Sequence, residues 1–158
     1  MRLSKSREKY LSQKYFNTKS DKNIPDHLSQ FGMRSGDTTD EDLCFITQHV
    51  SAIDRLALGD SFVTIQGLDY LKKLKKVLFL DLRGIPLTDE KLDCLLHLAE
   101  LEYLDIKNSE VTAAGILKIL VSFPKLETLR IDIPIEEEAH LNSWKKKFIN
   151  CELLINLK

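Results

Sequence analysis

The chain has 158 residues, 43% of them apolar and 30% charged, with 23 basic and 24 acidic side chains and a formal net charge of −1. That length holds one domain with a layered core, no run approaches the 18 or so apolar residues of a spanning helix, and near-neutrality argues against holding nucleic acid by charge alone. Cys44, Cys94 and Cys151 are an odd number without paired spacing, which suits reduced thiols in a cytoplasmic protein.

Residues 1–27 stand outside the pattern that follows. Residues 1–22 carry seven lysines and arginines against two acids, interleaved with Leu3, Tyr10, Leu11, Tyr15 and Phe16. They lack the apolar core of a secretory signal. The reading adopted is a capping helix over the open end of a repeat array. The alternatives are a basic arm for anionic lipid or nucleic acid, or an organelle-targeting segment.

From Leu28 onward one motif returns: an apolar residue, two variable ones, an apolar residue, one variable, and a third apolar residue. The triplets are Leu28/Phe31/Met33, Ile53/Leu56/Leu58, Val77/Leu80/Leu82, Leu101/Leu104/Ile106 and Leu126/Leu129/Ile131, at steps of 25, 24, 24 and 25 residues. A threonine follows six residues after the first four triplets (Thr39, Thr64, Thr88, Thr112), and an apolar residue four further on (Leu43, Leu68, Leu92, Ile116). Each unit thus predicts a short strand, a turn, and a helix whose apolar side packs back on the strand. In the unit from Val77, Gly84 and Pro86 turn the chain, Thr88 is placed to cap a helix, and Leu92, Leu95 and Leu98 point it inward. The same phase recurs in Leu68/Leu71/Leu74, and in Ile116/Ile119/Phe123 with one residue inserted. Leu56, Leu80, Leu104 and Leu129 are expected in one buried row under a parallel sheet.

These stretches, with TTDEDL, VTIQGL, LTDEKL and VTAAGI after the strands, resemble leucine-rich-repeat proteins of the roughly 24-residue class. The resemblance covers about residues 28–132. It implies an α/β solenoid with a parallel β-sheet on the concave face and helices on the convex face. An asparagine ladder after the strands is missing; Asn108 alone sits near that place. The tail WKKKFINCELLINLK resembles the closing helix and last strand of such arrays, with Ile155 and Leu157 inward. The expected organisation is one domain: an N-terminal cap at 1–27, repeats at 28–132 and a C-terminal cap at 133–158. The acidic Glu136–Glu138 run reads as a solvated connection.

If the triplets point inward, the third, fifth and seventh motif positions face out. The third reads Gln30, Arg55, Phe79, Tyr103, Thr128; the fifth Gly32, Ala57, Asp81, Asp105, Arg130; the seventh Arg34, Gly59, Arg83, Lys107, Asp132. Aromatics and arginine make anchors and charges give orientation. The candidate partner-binding residues are therefore Arg55, Phe79, Asp81, Arg83, Tyr103, Asp105, Lys107, Thr128, Arg130 and Asp132. Asp81 beside Asp105 is costly in isolation, a cost that a complementary partner would relieve. Five strands present on the order of 300 Å² in projection, less than the roughly 800 Å² a stable complex buries per partner. A partner is thus expected to touch the loops after the strands as well.

Chemistry is sparse in this sequence. His27, His49, His97 and His140 stand at no metal-ligand spacing from a cysteine or carboxylate, and no phosphate loop, nucleophile elbow or HExxH motif occurs. The expectation is a non-catalytic protein-binding module without cofactor or metal. Within that class an immunity or antitoxin protein that holds a toxic enzyme inactive fits a short array. A mitochondrial assembly factor is the alternative, through a resemblance to small leucine-rich-repeat proteins associated with ATP synthase or complex I. A single-stranded nucleic-acid binder, with Phe79 and Tyr103 as stacking platforms, is disfavoured by the charge and by Asp81 and Asp105 at the centre.

Overall fold

The structure, a computed structural model, describes residues 2–134 and 138–157. Six strands form one parallel sheet in sequence order: β1 (His27–Phe31), β2 (Ala52–Ala57), β3 (Lys76–Asp81), β4 (Tyr103–Asp105), β5 (Thr128–Ile133) and β6 (Glu152–Leu157). Helical segments return the chain behind the sheet and stack on one another, so the architecture is the α/β leucine-rich-repeat solenoid that the periodicity predicts. Phe31, Leu56, Leu80, Leu104, Leu129 and Leu153 are successive register partners across the sheet. The four central leucines of that row are fully buried. Each such side chain contributes roughly 1.5–3 kcal/mol of transfer free energy.

Met33 corrects the first triplet. It is 69% exposed, whereas Leu58, Leu82, Ile106 and Ile131 at the same motif position are buried. β1 ends at Phe31, and Gly32, at φ 75°, turns the chain there against the Ala57 carbonyl, so the next side chain swings out.

Each of the first four repeats returns through the expected helical segment, but not all of these are α-helices. The first and fourth repeats carry α2 (Asp40–His49) and α3 (Ala113–Ser122), but the second and third carry 3-10 helices at Gly67–Lys73 and Asp89–Cys94. The spacing of the inward residues explains the difference. Leu68/Leu71/Leu74 and Leu92/Leu95/Leu98 recur every three residues and line up only at three residues per turn. Leu43/Ile46/Val50 and Ile116/Ile119/Phe123 step three then four, the rhythm of 3.6 per turn. The extra residue of each 25-residue repeat is the one that makes its helix α. Thr39 and Thr112 cap α2 and α3 through their side chains, while Thr88 makes no such bond.

Neighbouring repeats are locked by an aspartate and a glycine that alternate between them. Asp40 accepts from the Thr64 amide at 2.8 Å and its hydroxyl at 2.7 Å; Asp89 does the same for Thr112, at 2.9 and 2.5 Å. Each carboxylate lies where a Cβ on Gly67 or Gly115 would stand. Repeats one and three therefore supply Asp, and repeats two and four supply Gly.

Backbone bonds, not asparagines, stack the turns. Ser35, Asp60 and Gly84 amides donate to the carbonyls of Gly59, Arg83 and Lys107, and Ser35, Asp60, Gly84 and Asn108 all adopt positive φ at equivalent places.

At the N-terminal end, α1 (Lys5–Phe16), capped by Ser4, buries Leu11 against the first repeat. Tyr15 donates to Asp42 at 2.8 Å and meets Phe31 edge-on, and Phe16 lies 6.4 Å from Phe45. Asp42 is also the reciprocal member of the α2 capping box, so one buried carboxylate ties α1 to α2. At the other end α4 (Glu138–Lys147) packs Leu141 and Trp144 inward, and β6 buries Leu153 with Ile155 half-buried. Glu136 and the Glu138 and Leu157 side chains lie outside the described residues.

Candidate functional site

Arg55, Phe79, Tyr103 and Thr128 are successive register partners at the outward third position, so strand pairing itself lines them up. The Phe79 and Tyr103 rings stack face to face at 3.9 Å and 6°, and the Arg55 guanidinium caps the other face of Phe79 at 3.9 Å. Arg130 reaches the Tyr103 hydroxyl at 3.4 Å. Phe79, Tyr103 and Thr128 are half-buried and Arg55 is exposed. The result is a rigid ladder across the centre of the concave face. Both faces of the Phe79 ring and one face of the Tyr103 ring are occupied. A base could not stack on Phe79 without parting the ladder.

Asp81 and Asp105 depart from the expectation of solvent-facing charges. They are 3% and 0% exposed. Arg34 lies across the small residues of the second repeat and bridges both, at 2.5 Å to Asp81 and 3.1 Å to Asp105, with Arg130 at 3.5 Å from Asp105. Their second oxygens accept the Arg83 and Lys107 amides, each at 3.1 Å, and so hold the turns after β3 and β4. The repulsion between the two carboxylates is therefore relieved within the molecule and needs no partner. The Arg34 guanidinium, despite the burial that opposes its charge, is held protonated above its ordinary range by Asp81 and Asp105.

The other outward residues divide by exposure. Arg83 is half-buried with its Nε 3.5 Å from Asp60, and Lys107 lies 3.9 Å from Asp132. The Asp132 carboxylate accepts the Asn108 amide at 2.6 Å. Arg34, Arg55, Arg83, Lys107 and Arg130 thus keep some access to solvent above acids that are sunk or engaged. Glu102 and Glu127 are exposed just before β4 and β5, and β6 opens on exposed Glu152, whereas β3 opens on Lys76 and β1 on His27.

Sequence reasoning missed Arg34 as the organiser of this face, and it missed two exposed apolar side chains on the loops beside it. Met33 is 69% and Phe62 71% exposed, on the turns after β1 and β2, which touch through the Phe62 amide and the Thr38 carbonyl at 3.0 Å. Phe62 stands where the third and fourth repeats have Pro86 and Glu110. That contrast was available in the sequence.

No helix among the described residues is long and apolar enough to cross a membrane. Cys44 and Cys94 are buried packing residues and Cys151 is half-buried.

No family model matches the sequence, and no curated protein matches it. Among solved structures, the crystal structure of internalin C2 from Listeria monocytogenes is similar to this chain at a TM-score of 0.43 and 17% identity, over 82% of this chain and 80% of that one.

Proposed function

We propose that the chain is a non-catalytic protein-binding module whose partner docks on the concave sheet face and on the loops that follow β1 and β2. The observation that carries this reading is the Arg55–Phe79–Tyr103 ladder, which is ordered before any partner arrives. Aromatic and arginine side chains dominate binding energy at interface centres, and anchors that are already fixed lose little freedom on binding. Met33 and Phe62 extend the surface past the small area of the sheet.

The exposed charges specify the partner's pattern. Acidic groups belong over Arg55, Arg83 and Lys107, and basic groups over Glu102 and Glu127. Asp81 and Asp105 act from beneath, by holding Arg34, Arg130 and the turns in place. Residues 1–27 are proposed as an end cap; the seating of Tyr15 on Asp42 and of Leu11 in the core supports a retained helix over a removable targeting segment.

The test is a comparative affinity capture. Proteins retained by the wild type and by Lys72→Ala/Lys118→Ala on the convex side, but lost with Phe79→Ala/Tyr103→Ala, are the expected result. Equal retention by both double variants contradicts the concave site. The narrower proposal, that the partner is a toxic enzyme held inactive, requires that the captured protein have an activity inhibited by the wild type and released by Tyr103→Ala.

A further inference from the structure

A second surface lies on the helical side, at the C-terminal end of the array. Behind the sheet three lysines meet an acid from the repeat before, Lys91 with Asp69 at 2.8 Å, Lys118 with Asp93 at 2.8 Å and Lys125 with Glu100 at 2.7 Å, while Lys73 lies over the Tyr70 ring. Lys145, Lys146 and Lys147, the last turn of α4, are exposed and make no ion pair among the described residues. Directly after them comes Ile149, at 80% the most exposed large apolar side chain among the described residues, with Phe148 half-buried beneath the Lys147 ammonium. A shallow cavity of about 180 Å³ joins Lys147, Phe148 and Ile149 to Phe123 and Pro124 at the end of α3, where Val121 is 63% exposed.

We infer that this patch docks the protein on an anionic lipid surface. Exposed lysines without an ion pair among the described residues, next to a projecting apolar tip, are the composition of an interfacial anchor: the tip enters the headgroup boundary while the ammonium groups stay among the headgroups. A protein partner would need a receptacle shaped for Ile149, whereas a bilayer deforms around it. A second copy across a two-fold axis would set lysines against lysines. Each lysine near an anionic surface contributes about fivefold in partitioning, so three give roughly a hundredfold before the apolar tip is counted. The association is reversible and salt-sensitive.

Co-sedimentation with vesicles of phosphatidylcholine, alone or with phosphatidylserine, tests this directly with the intact chain. The wild type should pellet only with the anionic vesicles and less at high salt. Ile149→Asp should weaken binding about tenfold or more, and so should Lys145→Glu/Lys147→Glu, a second variant at exposed positions with an unchanged far-UV spectrum. Tyr103→Ala, on the other face, should bind as the wild type does, so failure here and failure of the concave site are separable. Three results overturn the inference: no preference of the wild type for anionic vesicles, loss of binding with Lys5→Glu/Lys9→Glu but not with the α4 variants, or self-association without vesicles that Ile149→Asp abolishes.

Discussion

Arg34 shows how much one side chain decides. It leaves the turn after β1, crosses the second repeat where Ala57 and Gly59 leave room, and neutralises carboxylates on β3 and β4. Arg34→Ala strands two buried carboxylates, and removal of one member of a buried ionic group costs about 3–5 kcal/mol. The low end is expected, because the Arg34 side chain is 36% exposed and Asp105 keeps Arg130. Arg55→Ala, on the surface, should stay within about 1 kcal/mol. Urea unfolding of the two variants checks the contrast; equal effects would refute the network's structural role. The outward columns made Asp81 and Asp105 legible as neighbours, but not as buried. Their shared counterion comes from two repeats away for Asp81 and three for Asp105, and burial depends on the small residues between, which no strand-by-strand pattern registers.

Three titrating side chains set an alkaline limit. Burial pushes the Cys94 and Cys151 thiols from 9.0 to about 11, and burial pushes the Tyr15 phenol from 10.0 to about 12. In each case the folded state keeps a proton that the unfolded chain gives up. Their contribution to stability is therefore complete below the unfolded values and is lost as pH rises through the folded ones. The urea midpoint should fall progressively between pH 9 and 12. A midpoint that stays level across that window would show the three groups to be solvated.

At the scale of elements, the repeat length sets the helix type. Strand positions and register were readable from the sequence, except where β1 stops short of Met33, because a period of two on a stacked sheet leaves no other phase. Helix type was also encoded, in the three-three against three-four spacing, but a rule that treats both as one helical phase passes over it. The alternation of Asp40 and Asp89 with Gly67 and Gly115 was visible between TTDEDL and LTDEKL on one side and VTIQGL and VTAAGI on the other; its meaning needed the contact between repeats. A double-mutant cycle tests it. Asp89→Ala removes cap bonds to Thr112 and should cost about 1 kcal/mol. Gly115→Ala should cost more in the native background, because the new methyl meets the Asp89 carboxylate, and much of that cost should vanish in the Asp89→Ala background. Strict additivity would mean that the two positions do not share the space.

At the scale of the whole molecule, one row of leucines carries stability, and the proposed recognition falls to the outward ladder of Arg55, Phe79 and Tyr103. Leu80→Ala opens a cavity in the central row and should cost about 2–5 kcal/mol, read by thermal or urea unfolding; a surface-like effect would contradict the solenoid core. The face was legible in the sequence as columns of residue types. Its organisation was not, because the stacking of Phe79 on Tyr103, the sunk acids and the outward turn of Met33 arise from side-chain packing and one positive φ. The most direct test is the affinity of the captured partner for Tyr103→Ala. Truncation of a central anchor commonly costs 2 kcal/mol or more, so the dissociation constant should rise about 30-fold or more while the unfolding midpoint moves little. Lys72→Ala and Lys118→Ala should leave it unchanged. Wild-type affinity in Tyr103→Ala together with loss in the two lysine variants would place the site on the helical side and contradict the concave-face account.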